Sequence, residues 1–190
     1  MRNALLSLSL LAIALFATDA AADPYAETIQ LFKNAGESAS FFKNSYGYAV
    51  FPTVGKGAFV VGGAHGKGQV YQQGKYVGDT ALTKVSIGLQ AGGEAYSQMI
   101  FFQDKRAFDE FTSGNFEFGA GVQAVAITAA ASGETGTTGS NAGASGGKKD
   151  AATAGGYYKG MAVFTIVKGG AILEASVSGQ KFSYTPRKGS

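Results

Sequence analysis

VFPTVGKGAFVVGGAHGKGQVY, residues Val50 to Tyr71, is the stretch on which the fold turns. It reads as β-strand, yet it spends six positions on glycine and keeps Lys56, His65 and Lys67 among them. Glycine weakens a strand interior unless another group approaches the backbone or the strand has to bend. A small, strongly curved antiparallel sheet needs both. Bends at Gly55, Gly57, Gly66 and Gly68 are expected to let one long segment turn corners. The glycines therefore predict a compact, barrel-like sheet with a helix or strand pressed on the glycine side.

Working outward, the period-two pattern recurs. Val85, Ile87, Leu89 and Ala91 alternate with Ser86, Gly88, Gln90 and Gly92. Phe116, Phe118, Ala120, Val122 and Ala124 alternate with Glu117, Gly119, Gly121 and Gln123, and Ala171, Leu173, Ala175 and Val177 with Glu174, Ser176 and Ser178. Each predicts a half-buried strand. The stretches 94–102 and 157–167 are apolar on both faces and are expected at the centre of the sheet or covered on both sides. DKRAFDEF, 104–111, predicts a short helix capped by Asp104, with Ala107, Phe108 and Phe111 on one face and Gly114 able to end it. Residues 24–44 predict an N-terminal helix: Pro24 suits a first turn, and Tyr25, Ile29, Phe32, Ala39 and Phe42 follow helical spacing. Gly36 weakens its middle by about 1 kcal/mol against alanine. The expected class is α+β: a strongly twisted, antiparallel, barrel-like sheet with an N-terminal helix and one short inserted helix.

Ahead of that helix, residues 1–22 read as a secretory signal peptide: Arg2, an apolar run from Ala4 to Ala17, and small residues at Ala20 and Ala22 before a cut ahead of Asp23. The run is too short to span a membrane. Export, to a periplasm and then peripherally to a membrane, is the expectation. Its loss removes Arg2 and Asp19, one charge of each sign, so the formal charge stays at +3. With Cys 0, no disulfide can help, and burial alone must stabilise residues 23–190. A length of 190 residues, 45% of them hydrophobic, suits a single domain with a real core. Residues 131–156 are low complexity with no large apolar side chain, and are expected to form a flexible loop inserted between strands.

Chemistry-bearing motifs are few. Gly143-Ala144-Ser145-Gly146-Gly147 matches a nucleophile-elbow pattern, but stands in the low-complexity stretch without a strand before it or a helix after it. Gly119–Ala124 matches a dinucleotide fingerprint, but continues as strand. Glu94 and Glu174 are single carboxylates, and one histidine with no cysteine assembles no metal site. No catalysis, cofactor or metal is expected. Nucleic acid is an unpromising partner for an exported chain of such small charge. Lys56, His65, Lys67, Lys75 and Lys84 cluster in sequence around glycine-rich turns, whose N–H groups with nearby ammonium groups suit phosphate. Tyr46, Tyr48, Tyr71 and Tyr76 suit an interface. A basic-flanked helix carrying Ile29, Phe32, Lys33, Phe42 and Lys43 suits a membrane surface.

Four ordered blocks, YAVFPTVGKGAFVVGGAHGKGQVY, VSIGLQAGGEAYSQMIFF, AFDEFTSGNFEFGAGVQAVA and GMAVFTIVKGGAILEASVSGQKF, resemble the SYLF domain. The resemblance runs from Tyr48 to Tyr184 and makes residues 23–190 one SYLF-like domain. It implies binding of membrane lipid. In eukaryotic relatives the lipids are phosphoinositides, and some relatives bind actin. For an exported chain the implied ligand narrows to an anionic phospholipid surface. A periplasmic structural or protein-interaction module, with an envelope protein as partner, and a carrier of an apolar ligand are the competing expectations.

Overall fold

The computed structural model describes residues 22–55, 63–85, 95–119, 122–127, 156–168 and 177–188. The expected signal peptide up to residue 21, Lys56, the expected loop 131–156 up to residue 155, the elbow-like motif, Glu94, Glu174 and most of the alternating stretches at 85–91 and 171–177 lie outside them. In chain order come α1 (Pro24–Asn34), α2 (Gly36–Ala39), α3 (Phe41–Asn44), β1 (Gly47–Gly55), β2 (Gly63–Gln72), β3 (Lys75–Val85), β4 (Ala95–Phe102), α4 (Lys105–Phe111), β5 (Phe116–Glu117), β6 (Val125–Ile127), β7 (Met161–Lys168) and β8 (Gln180–Pro186). The eight strands form one sheet in the order β5-β8-β3-β2-β1-β4-β7-β6. It is antiparallel apart from the short parallel pair β6–β7. The class is α+β, and the sheet is a strongly curled half-barrel.

Its curl can be read from side chains. Strands lie roughly 4.8 Å apart, so β4 and β8, four steps apart in the order, would be separated by roughly 19 Å in a flat sheet. Instead the Gln98 amide of β4 donates to the Gln180 carbonyl of β8 at 2.9 Å, and Gln180 returns the bond at 3.1 Å. Phe51 of β1 and Phe182 of β8, three steps apart, have ring centroids 5.8 Å apart. The concave face holds one core, with Phe51, Ile100, Phe102, Phe111 and Phe182 buried together with α4. The convex face holds a second, where Phe32, Ala35 and Phe41 from the N-terminal helices cover Val50, Met99, Phe101 and Phe164. β4 is thus buried on both faces, as its doubly apolar sequence requires.

The bend lies elsewhere than the glycines suggested. β1 carries an extra residue against both neighbours: the register steps from Val50↔Gln69 to Thr53↔Lys67 on one side and from Phe51↔Gln98 to Val54↔Tyr96 on the other. Pro52 sits in this bulge, the one kind of place where a residue without an N–H fits a central strand. The bulge resets the alternation, so both Phe51 and Val54 point to the concave core. Gly66 and Gly68 lie in unbroken register with β3. They serve the other purpose, close approach: a Cβ at Gly68 would stand 2.6 Å from the Phe51 ring, and one at Gly66 would stand 2.7 Å from Val54 Cγ2.

Two further expectations are corrected. The N-terminal helix is three short segments, because Ala35 turns to an extended backbone (φ −79, ψ 120) ahead of Gly36. Within it Phe41, rather than Phe42, is the buried anchor, packing 5.4 Å from Phe101 and 4.9 Å from Phe164. The alternating stretch 116–124 is no single strand. Its start, β5, pairs with β8 at one edge of the sheet, and the chain then crosses to the opposite edge, where β6 joins β7. α4 forms as expected, with Asp104 Oδ1 accepting from the Ala107 N–H at 2.9 Å.

Candidate functional site: a cationic sheet face

The residues singled out in the sequence do not form one site. His65 and Lys67 share the convex face of β2 and are exposed there. Lys84 falls on the concave side of β3, in register with Ala64 and with the buried Gln180. Lys75 begins β3 at the hairpin end, roughly 25 Å along the sheet from Thr83 at 3.3 Å per residue. Lys56 is outside the described residues. Pleat parity is what separates them: neighbours in sequence on one strand face opposite ways.

Registry assembles a different set. One row across the convex face reads Lys168, Ala95, Gly55, His65, Thr83, Lys181, Glu117, taken from β7, β4, β1, β2, β3, β8 and β5. The adjacent row sets Thr53, Lys67, Ala81 and Ser183 side by side. Contacts knit the rows together: Lys168 Nζ donates to Thr53 Oγ1 at 3.3 Å, and His65 Nδ1 stands 3.5 Å from Thr83 Oγ1. Lys181 faces Glu117 at 3.6 Å, an exposed pair worth little in water. Small and hydroxylated residues thus floor a face from which Lys67, Lys168, Lys181 and His65 rise. One row further toward the hairpin, Asp79 lies beside Gln69 and limits the basic region. Lys168 and Lys181 escaped sequence reading because they sit more than a hundred residues from Lys67; only their register reveals the grouping.

The expected membrane-contact residues divide likewise. Phe32 is fully buried in the convex core, so in this arrangement it holds the helix to the sheet. Ile29 and Phe42 are half-buried, while Lys33 and Lys43 are exposed. The Lys33 ammonium lies 5.6 Å from the Phe42 ring centroid. No helix among the described residues is long and apolar enough to cross a membrane. No group of three or more metal-ligating side chains is found among the described residues.

Tyr48, Tyr71 and Tyr76 gather on the convex face near the hairpin, while Tyr46 packs on the concave side, 5.5 Å from the Phe108 ring. Tyr48 stacks on Tyr71 at 5.1 Å, and Tyr71 meets Tyr76 at 6.0 Å. Burial, and secondarily the neighbouring Tyr71, pushes the Tyr48 hydroxyl up to about 12. On the concave side burial pushes Tyr96 up to about 12, partly offset by the Gln180 amide, which donates to the Tyr96 oxygen at 3.2 Å. Phe51, Phe102, Phe111 and Phe182 occupy the interior that an apolar ligand would need.

Residues 83–187 match the family described as Ysc84, Las17-binding protein actin regulator. The chain belongs to this family, the SYLF family that its sequence blocks resemble. Among curated proteins it is similar to Beta cell expansion factor A of Aeromonas veronii, 30% identical over 158 residues, or 81% of this chain. The chain spans about half the length of that relative, 51%.

Proposed function

We propose that the protein is a non-catalytic lipid-binding protein that associates reversibly with anionic phospholipid at a cell-envelope membrane, after export. The observation that carries this reading is the cationic face. Lys67, Lys168 and His65 stand on a shallow surface of glycine, alanine, serine and threonine, where hydroxyls and ammonium groups meet phosphate oxygens without bulky side chains between. Family membership supports it. An anionic leaflet attracts each nearby lysine by about 1 kcal/mol, and salt weakens the attraction.

Sedimentation with vesicles of graded anionic content is the test. Pelleting is expected to rise with anionic lipid and fall with salt. The double variant Lys67→Gln/Lys168→Gln, which removes one exposed and one half-buried charge, is expected to weaken partitioning by roughly 30-fold, from about 1 kcal/mol per lysine. Equal, negligible pelleting with neutral and anionic vesicles ends the reading. Protein-interaction activity is the competing one, favoured by the family's description as a Las17-binding actin regulator. A stoichiometric crosslinked envelope protein, with no preference for anionic vesicles, selects it.

A further inference from the structure

A second place on the convex side has the features of a built pocket. Where α1 and α3 meet the β2–β3 hairpin, a cavity of about 150 Å³ is lined by Lys33, Phe42, Ser45, Tyr48, Gln73 and Gly74. Its lining holds one ammonium and no carboxylate. The ion pairs among the described residues engage Lys105, Arg106 and Lys181, and none engages Lys33. That ammonium is instead held over the Phe42 ring. Phe42 meets Tyr48 edge-on at 5.3 Å, which gives the cavity an aromatic wall. The remaining wall is formed by Ser45, Gln73 and Gly74.

The hairpin is shaped at some expense to make this wall. Gln73 and Gly74 both take positive φ, at 49° and 79°. Positive φ at both positions makes this a type I′-like turn, whose first position asparagine, aspartate or glycine normally fills. Glutamine there is disfavoured, because its Cβ crowds the backbone. The Gln73 N–H also donates to the Tyr46 carbonyl at 3.2 Å, which ties the hairpin tip to the segment entering β1. A less favourable residue, held in the left-handed region within the pocket's lining, points to use of its side chain.

We infer that this pocket receives a phosphate group, with Lys33 supplying the charge, Ser45 and Gln73 the hydrogen bonds, and Phe42 and Tyr48 a surface for an attached apolar part. The inference rests on the lipid reading only for the source of that phosphate, which is a phospholipid headgroup or a free anion. It is separate from the cationic face, since the pocket lies at the opposite end of β2 from His65.

The test uses the intact chain and soluble probes, so that vesicle association plays no part. Backbone amide shifts are followed by NMR on titration with inorganic phosphate and, separately, with dihexanoyl phosphatidylglycerol kept monomeric. Saturable shifts at Ser45, Gln73 and Gly74 are expected. Lys33→Gln is expected to weaken them about tenfold, and Ser45→Ala several-fold, as loss of charge-assisted hydrogen bonds implies. Lys67→Gln is expected to leave them unchanged. Tighter binding of the short-chain lipid than of phosphate assigns the headgroup; equal binding assigns the free anion. If neither probe shifts these amides, or if Lys33→Gln binds as the parent does, the inference fails, whatever the vesicles show.

Discussion

Gly68 and Gln98 show how single side chains set this architecture. At Gly68 the backbone of β2 runs against the Phe51 ring, and an added methyl would also stand 2.8 Å from the Val50 carbonyl oxygen. Neither neighbour can retreat, because Phe51 is fully buried and Val50 belongs to the central strand. Gly68→Ala is therefore expected to lower unfolding free energy by about 2 kcal/mol or more in denaturant titrations, as overpacking does. Gln98 and Gln180 present the opposite case. Each is essentially fully buried, and each satisfies the other. Gln180→Leu strands the Gln98 amide, and Gln98→Leu leaves the Gln180 carbonyl without its donor; each is expected to cost about 1–3 kcal/mol. Replacing both is expected to cost less than the sum of the two single changes. Strict additivity in that double-mutant cycle would show that the pair does not act as a unit.

At the scale of elements, the N-terminal helices are the least regular part. Ala35 breaks them, yet it is fully buried and its N–H still donates to the Leu31 carbonyl at 3.1 Å. Gly36 begins α2, and a methyl added there would meet nothing within 4 Å, so space does not require glycine. Gly36→Ala is expected to stabilise by about 0.5–1 kcal/mol, by narrowing the unfolded ensemble. A higher thermal midpoint with unchanged helix content would bear this out, and a lower midpoint would show that the break itself matters. Sequence pattern located α4 and its Asp104 cap correctly, because those signals act within one turn. It missed the bulge at Pro52 because a bulge is defined only against the partner strands. It read 116–124 as one strand for the same reason: alternation records which way side chains point, not which neighbour supplies the hydrogen bonds.

For the whole molecule, two buried phenols predict an alkaline limit. Tyr48 and Tyr96 titrate near 12 in the fold, against about 10 when unfolded. The fold therefore holds these protons more tightly than the unfolded chain does. That contribution is complete below about pH 10 and is lost as pH climbs from about 10 to about 12. Unfolding free energy measured from neutral pH to about pH 11 is expected to fall along that limb, and Tyr96→Phe is expected to make the fall shallower. An identical slope in the variant would place the proton linkage elsewhere.

Local chemistry determined much of this protein in advance. Alternation, capping and glycine content specify an α+β chain with a tightly curled sheet, and four ordered blocks place it in its family. Those signals are short-range, carried by pleat parity and by bonds within a turn. The grouping of cations was decided only by tertiary structure. Lys84 stands three residues along β3 from Ala81, the partner of Lys67, and so faces the other way, while Lys168 and Lys181 were brought beside Lys67 by registry among strands far apart in the chain. The contact that latches the curl, Gln98 with Gln180, is equally invisible along the sequence, because it exists only when β4 and β8 meet across the interior.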